Sequence, residues 1–133
     1  KELQNGGVVI IFPSGAISRA KRFVDKAVDP IWKKFVAKLA TQSGTQVLPF
    51  FIEGQNTPIF QFAIQCSQTL GYSLMFREIC KRMYRPVNIQ MRPIITEQMI
   101  ADINDRNQLI EKLRDITYFG VDKPPINTNK LSK

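Results

Sequence analysis

The feature that most constrains this chain is an unbroken apolar run, Val8-Val9-Ile10-Ile11-Phe12, that stops abruptly at Pro13-Ser14-Gly15. A continuous run rich in β-branched residues, unlike an alternating one, asks for burial on both faces. That is the condition of an inner strand of a parallel sheet. A second such run, Gln46 to Ile52 with Pro49 inside it, closes at Glu53-Gly54-Gln55-Asn56. Between the two, Asp29-Pro30 reads as a helix start, with Asp as N-cap and Pro at the first position. Ile31, Trp32, Phe35, Val36, Leu39 and Ala40 follow at helical spacing, Lys33, Lys34 and Lys38 fall on the other side, and Gly44 is the expected stop. Strand, helix, strand predicts a βαβ unit with a right-handed crossover. The fold class expected is therefore α/β, a βαβ-based, mostly parallel sheet flanked by helices. Ligands of such sheets gather at the carboxyl ends of the strands. The Pro13–Ser18 and Glu53–Thr57 loops are predicted to meet there.

Downstream, Pro58 to Met83 is helical in pattern, with a break predicted at Gly71-Tyr72-Ser73. This stretch combines aromatic, aliphatic and basic residues, as helices that lie in a membrane interface do. Val87, Ile89 and Met91 alternate with Asn88, Gln90 and Arg92, which predicts a half-exposed strand between Pro86 and Pro93. Thr96 is placed as the cap of a short helix. Asp105 to Gln108 has the character of a capping box and opens a longer helix through Leu109, Ile110, Leu113 and Ile116, ended by Gly120. Lys123 to Lys133 has two prolines and no apolar period, so residues 121–133 are expected to be a mobile tail.

Charge and residue inventory narrow the functions. The net charge is +8, and no histidine occurs among the 133 residues. Any Ser-His or Cys-His mechanism carried by this chain alone is thereby excluded. Seven basic residues lie between Arg19 and Lys38 against Asp25 and Asp29, and five between Arg77 and Arg92 against Glu78. Two such clusters fit an anionic partner. Cys66 and Cys80, set among apolar neighbours, are expected to be buried free thiols, and no metal site is predicted from them. No apolar run approaches the roughly 18 residues a membrane-spanning helix needs. The first residue is not Met and the chain enters an apolar strand pattern almost at once, so it is expected to be a segment of a longer protein.

The turn after Phe12 is where chemistry is expected. A tight Pro/Gly turn offers backbone N–H groups to an anion, Ser18 adds a hydroxyl, and Arg19 can grip a phosphate with two parallel bonds. Lys21 and Arg22 raise the local potential. Gly15, Ser18 and Arg19 are the candidate phosphate-binding residues. Ser14, Lys21, Arg22, Glu53 and Asn56 are candidates for the rim of the same site.

Phe12-Pro13-Ser14-Gly15-Ala16-Ile17-Ser18 resembles the third block, Phe-Pro-Glu-Gly-Thr-Arg-Ser, of the glycerophosphate and lysophospholipid acyltransferases. Phe12, Pro13, Gly15 and Ser18 match, while Ser14, Ala16 and Ile17 replace the glutamate, threonine and arginine. Val47-Leu48-Pro49-Phe50-Phe51 resembles the fourth block. The continuation Phe51 to Thr57, with Phe60-Gln61, is similar to a bacterial, hemolysin-like branch. The resemblance extends from residue 6 to about residue 119 in the order and spacing of these blocks. It implies the C-terminal part, residues 1–120, of an acyltransferase domain incomplete at its N-terminal side. It further implies a phospholipid-biosynthesis enzyme bound peripherally to the cytoplasmic face of the inner membrane. Such an enzyme moves a fatty acyl group from acyl-CoA or acyl-carrier protein, as co-substrate, to a lysophospholipid or related anionic lipid acceptor. The family's base is a His-x-x-x-x-Asp block, absent here, so no catalytic residue is assigned and the chain alone is expected to be inactive. No cofactor is implied.

The alternative is a basic module without catalysis that binds nucleic acid or a lipid surface. Against nucleic acid, the aromatics Phe50, Phe51, Phe60 and Phe62 cluster in apolar runs rather than interleaving with cations. Against a nucleotide-binding domain, neither Gly-x-Gly-x-x-Gly nor Gly-x-x-x-x-Gly-Lys occurs. If Val8–Phe12 forms an inner strand with one neighbour missing, its unpaired edge predicts self-association.

Overall fold

A computed structural model describes residues 2–20, 25–42 and 44–120. The chain divides into two compact units. The first comprises residues 1–13, 32–51 and 89–133, and the second residues 14–31 and 52–88.

The first unit is held by two helices. Helix α1 (Lys34–Ala40) contributes Val36, Ala37 and Ala40, preceded by Trp32, and packs against α6 (Arg106–Phe119). Leu109, Ile110, Leu113 and Ile116 are the buried face of α6, at the spacing of one helical stripe. Ile95 and Ile100, the latter on the short α5 (Glu97–Ile100), complete the core. Both ends of α6 are closed locally. Asp105 Oδ1 accepts from the Asn107 N–H at 2.9 Å, and Gly120, at φ +84°, donates its N–H to the Ile116 carbonyl. Arg92 adds a second closure. Its guanidinium donates to the carbonyls of Thr117 (3.0 Å) and Tyr118 (2.9 Å), groups left without intrahelical partners at a helix end.

The expected parallel βαβ sheet is not formed. The strands among the described residues are β1 (Phe50–Ile52) and β2 (Ile89–Met91), and they pair with each other. Arg92 N–H to Pro49 O and Glu53 N–H to Asn88 O set an antiparallel register. Beyond Pro49 the pairing moves to Val47 with Ile95, so Pro93-Ile94 stands opposite Leu48 alone, a one-residue bulge. The predicted second strand is thus real, but its partner is the alternating segment downstream, not the run upstream. Val8–Phe12 takes no regular structure, and Val8 and Ile10 are 91% and 84% exposed. A strand exists only through the ladder of a neighbour, and no described segment offers Val8–Phe12 one.

Asp29 does not cap α1. Its carboxylate accepts the Ser18 hydroxyl, Pro30 to Lys33 stay outside the helix, and the helix begins at Lys34. Lys33 donates to the Pro13 carbonyl instead. Gly44, at φ +73°, lies in the turn after the helix rather than at its cap, which is Thr41.

The second unit is built on three short helices, α2 (Pro58–Cys66), α3 (Gln68–Ser73) and α4 (Met75–Arg82). The breaks fall at Ser67 and Leu74, not at Gly71-Tyr72-Ser73. Gly71 sits within α3 because α2 leaves no room there: a Cβ would come within 2.7 Å of the Ile64 Cβ. Phe60, Ala63 and Ile64 are buried. Cys66 and Cys80 are free thiols but exposed, because each lies on the outward side of its helix. The tail, residues 121–133, lies outside the described residues.

Candidate anion-binding turn

All described members of the candidate site belong to the second unit. Gly15 turns the chain at φ +62°, a left-handed conformation costly for a residue with a side chain, and no atom approaches its missing Cβ. Ser14 is buried and closes the turn on itself, its Oγ donating to the Ala16 carbonyl at 2.9 Å. Ser18 gives its one proton to Asp29 Oδ1. Both hydroxyls are therefore engaged within the protein, and the donors left for an anion are backbone N–H groups and cations.

Arg19 is held in an extended segment between two clamps. On one edge its backbone exchanges both hydrogen bonds with Val28, each at 3.0 Å. On the other edge two glutamines of α2 take the place of a strand. Gln61 Oε1 accepts the Ala20 N–H at 3.0 Å, and Gln65 Nε2 donates to the Ala20 carbonyl at 2.9 Å. Positions 61 and 65 are one helical turn apart, so both amides reach the same residue, one its N–H and the other its carbonyl. The oxygen of Gln61 must face the Ala20 donor, so its amide nitrogen faces away. Gln61 is 2% exposed and that nitrogen is buried with no hydrogen-bond partner, as is Nε of the half-buried Arg19. Each such buried, unmatched donor costs about 1–3 kcal/mol, and Trp32 Nε1 is buried without a partner elsewhere in the chain as well.

Of the rim residues, Glu53 accepts from Asn88 Nδ2 at 3.1 Å, beside the Glu53 N–H to Asn88 O bond. Asn56 lines a shallow cleft of about 350 Å³ with Met75, Glu78, Ile79, Arg82 and Met83. The Glu53–Thr57 loop is fastened chiefly to α4. Buried Glu78 accepts from the Thr57 N–H (2.7 Å) and hydroxyl (2.6 Å), and Arg82 donates to the Gln55 carbonyl. Its link toward the Arg19 segment is the Ala27 N–H to Gln55 Oε1 bond, 3.0 Å. The two predicted loops thus share a unit without converging at a sheet edge. Lys21 and Arg22 lie outside the described residues.

Sequence reasoning gave Gln61 no role beyond the resemblance and passed over Gln65 and Glu78. The available signal was an i, i+4 pair of glutamines on an otherwise apolar helix. Among the described residues, no three of His, Cys, Asp and Glu come together as a metal group, and no helix is long and apolar enough to cross a membrane. Comparison with protein-family models, with curated proteins and with solved structures finds no match.

Proposed function

We propose that this chain supplies the acceptor-binding part of a membrane-associated acyltransferase. The substrate pair is acyl-CoA or acyl-carrier protein with a lysophospholipid or related lipid carrying a phosphate. What supports the reading is the turn itself: Phe12-Pro13, a left-handed Gly15, then Arg19 clamped with an unmatched buried donor. The parallel sheet is not needed for this, because the turn is fastened by Asp29, Val28 and the two glutamines. The phosphate is gripped by Arg19 and the turn's amides, with the Gln61 amide as a further donor. With no histidine, the chain contributes no His-type base, and the acyl transfer step is not its own.

Glycerol 3-phosphate titrated into the chain, followed by NMR, tests the reading. Saturable shifts at Gly15, Arg19 and the Gln61 side-chain amide are expected, with affinity falling roughly tenfold or more in Arg19→Ala, as loss of a charge-assisted bond requires. Absence of saturable binding, tighter binding of a DNA or RNA oligomer at physiological salt, or acyl transfer by the chain alone would each overturn it.

A further inference from the structure

We propose that α4 is an in-plane anchor for a bilayer containing anionic phospholipid. This deepens the reading above, on which its biological sense rests, by assigning the membrane contact to one element.

The argument starts from the angular positions of its side chains, at 100° per residue. Phe76, Ile79 and Met83, at i, i+3 and i+7, fall within one narrow stripe, and all three are exposed, Phe76 by 76%. Arg77 lies to one side of that stripe and Arg82, whose guanidinium also holds the Gln55 carbonyl, to the other, Lys81 is exposed on the far side of the helix, and Arg85 follows it. Long cationic side chains beside an apolar stripe can keep their heads among phosphates while the stripe enters the acyl boundary. The one acidic residue of α4, Glu78, points into the protein rather than to solvent. It is 4% exposed and committed to both donors of Thr57. Turning that carboxylate inward leaves only cations on the outward charged positions of α4, so the exposed surface is complementary to an anionic surface. Tyr84, almost wholly exposed just past the helix, adds an amphipathic ring of the kind favoured at the headgroup level. Of the stripe's three side chains only Phe76 has a ring to stack on a base, while Ile79 and Met83 suit acyl chains, which favours a lipid surface over an oligonucleotide.

The test uses the whole chain with Phe76→Trp as a reporter, since position 76 is exposed and tolerates an aromatic exchange. With vesicles of phosphatidylcholine and phosphatidylglycerol at 3:1, the emission is expected to shift to the blue and to be quenched by lipids spin-labelled along the acyl chain. Pure phosphatidylcholine should give neither. In cosedimentation, Arg77→Gln with Arg85→Gln should weaken binding roughly thirtyfold, from the usual contribution of two cations at an anionic membrane. Phe76→Ser with Ile79→Ser should weaken it roughly tenfold or more. Unchanged emission, equal binding to neutral vesicles, or unaltered binding by either double variant would overturn the proposal. So would a concentration-dependent dimer that Phe76→Ser with Ile79→Ser abolishes, which would give the stripe to a second copy of the chain. Glycerol 3-phosphate binding is read separately in solution, so loss of the anchor and loss of the phosphate site are distinguishable.

Discussion

Helix α6 and the run Val8–Phe12 make an instructive pair. Every residue of the run is apolar, whereas α6 mixes apolar residues with Arg106, Glu111, Lys112, Arg114 and Asp115. The less apolar segment is the better formed. Helix α6 satisfies its backbone within itself, caps its first turn with Asp105, and needs only one stripe covered, which α1 provides. The run can satisfy its backbone only through a neighbouring ladder, and all its side chains but Ile11, which rests against the core, are exposed. Apolar content states how much burial a segment seeks, while its period and its caps decide whether it can form a regular element before any neighbour arrives.

The largest expected effect that bears on this contrast is in the core. Leu113→Ala should lower stability by about 2–5 kcal/mol, while Ile10→Ala should change it by no more than about 0.5 kcal/mol. Urea unfolding followed by circular dichroism reads both. A comparable loss at Ile10, growing with protein concentration, would mean that a second chain buries the run in solution. Next in size, Asp105→Ala should cost α6 about 1 kcal/mol, seen in the same titration and restored in large part by Asp105→Ser. No loss would show that packing alone holds the helix.

The smallest effect is electrostatic. Burial raises the carboxyl of Asp115 above its ordinary value, neighbouring Arg114 opposes this and Glu111 adds to it. A raised acid favours the folded state when protonated. Its stabilising contribution is therefore present below the ordinary carboxylate range and lost as pH rises through the folded-state value. Asp115→Asn should flatten that part of the stability–pH curve and leave the chain slightly more stable at neutral pH, whereas an unchanged curve would show Asp115 to be fully solvated.

Much of the local structure was legible in the residues. The long helix from Asp105 to Gly120, the short helix after Thr96, the strand through Ile89 and Met91 and the helix beginning at Pro58 follow from period and capping, which act within a few residues. Where reading failed, a competing partner was the cause. Asp29 has the residue type and place of an N-cap, but Ser18, eleven positions earlier, takes its carboxylate. Gly71 looked like a breaker and is a contact point for Ile64. The cysteines looked buried by their neighbours in sequence and are exposed by their angle on the helix.

By itself, then, the sequence determined where the helices at Pro58, after Thr96 and after Asp105 begin, where the last of them ends, the absence of a histidine base, the excess of cations, and the turn at Gly15, because each depends on residue identity or on contacts a few positions apart. Tertiary structure decided that Val47–Glu53 pairs antiparallel with Asn88–Ile95, that Gln61 and Gln65 clamp Ala20 beside Arg19, and that Glu78 turns inward and leaves the outer charged positions of α4 to cations. Those outcomes join residues 21 to 48 positions apart, and only the folded chain settles which of several chemically able partners each polar group meets.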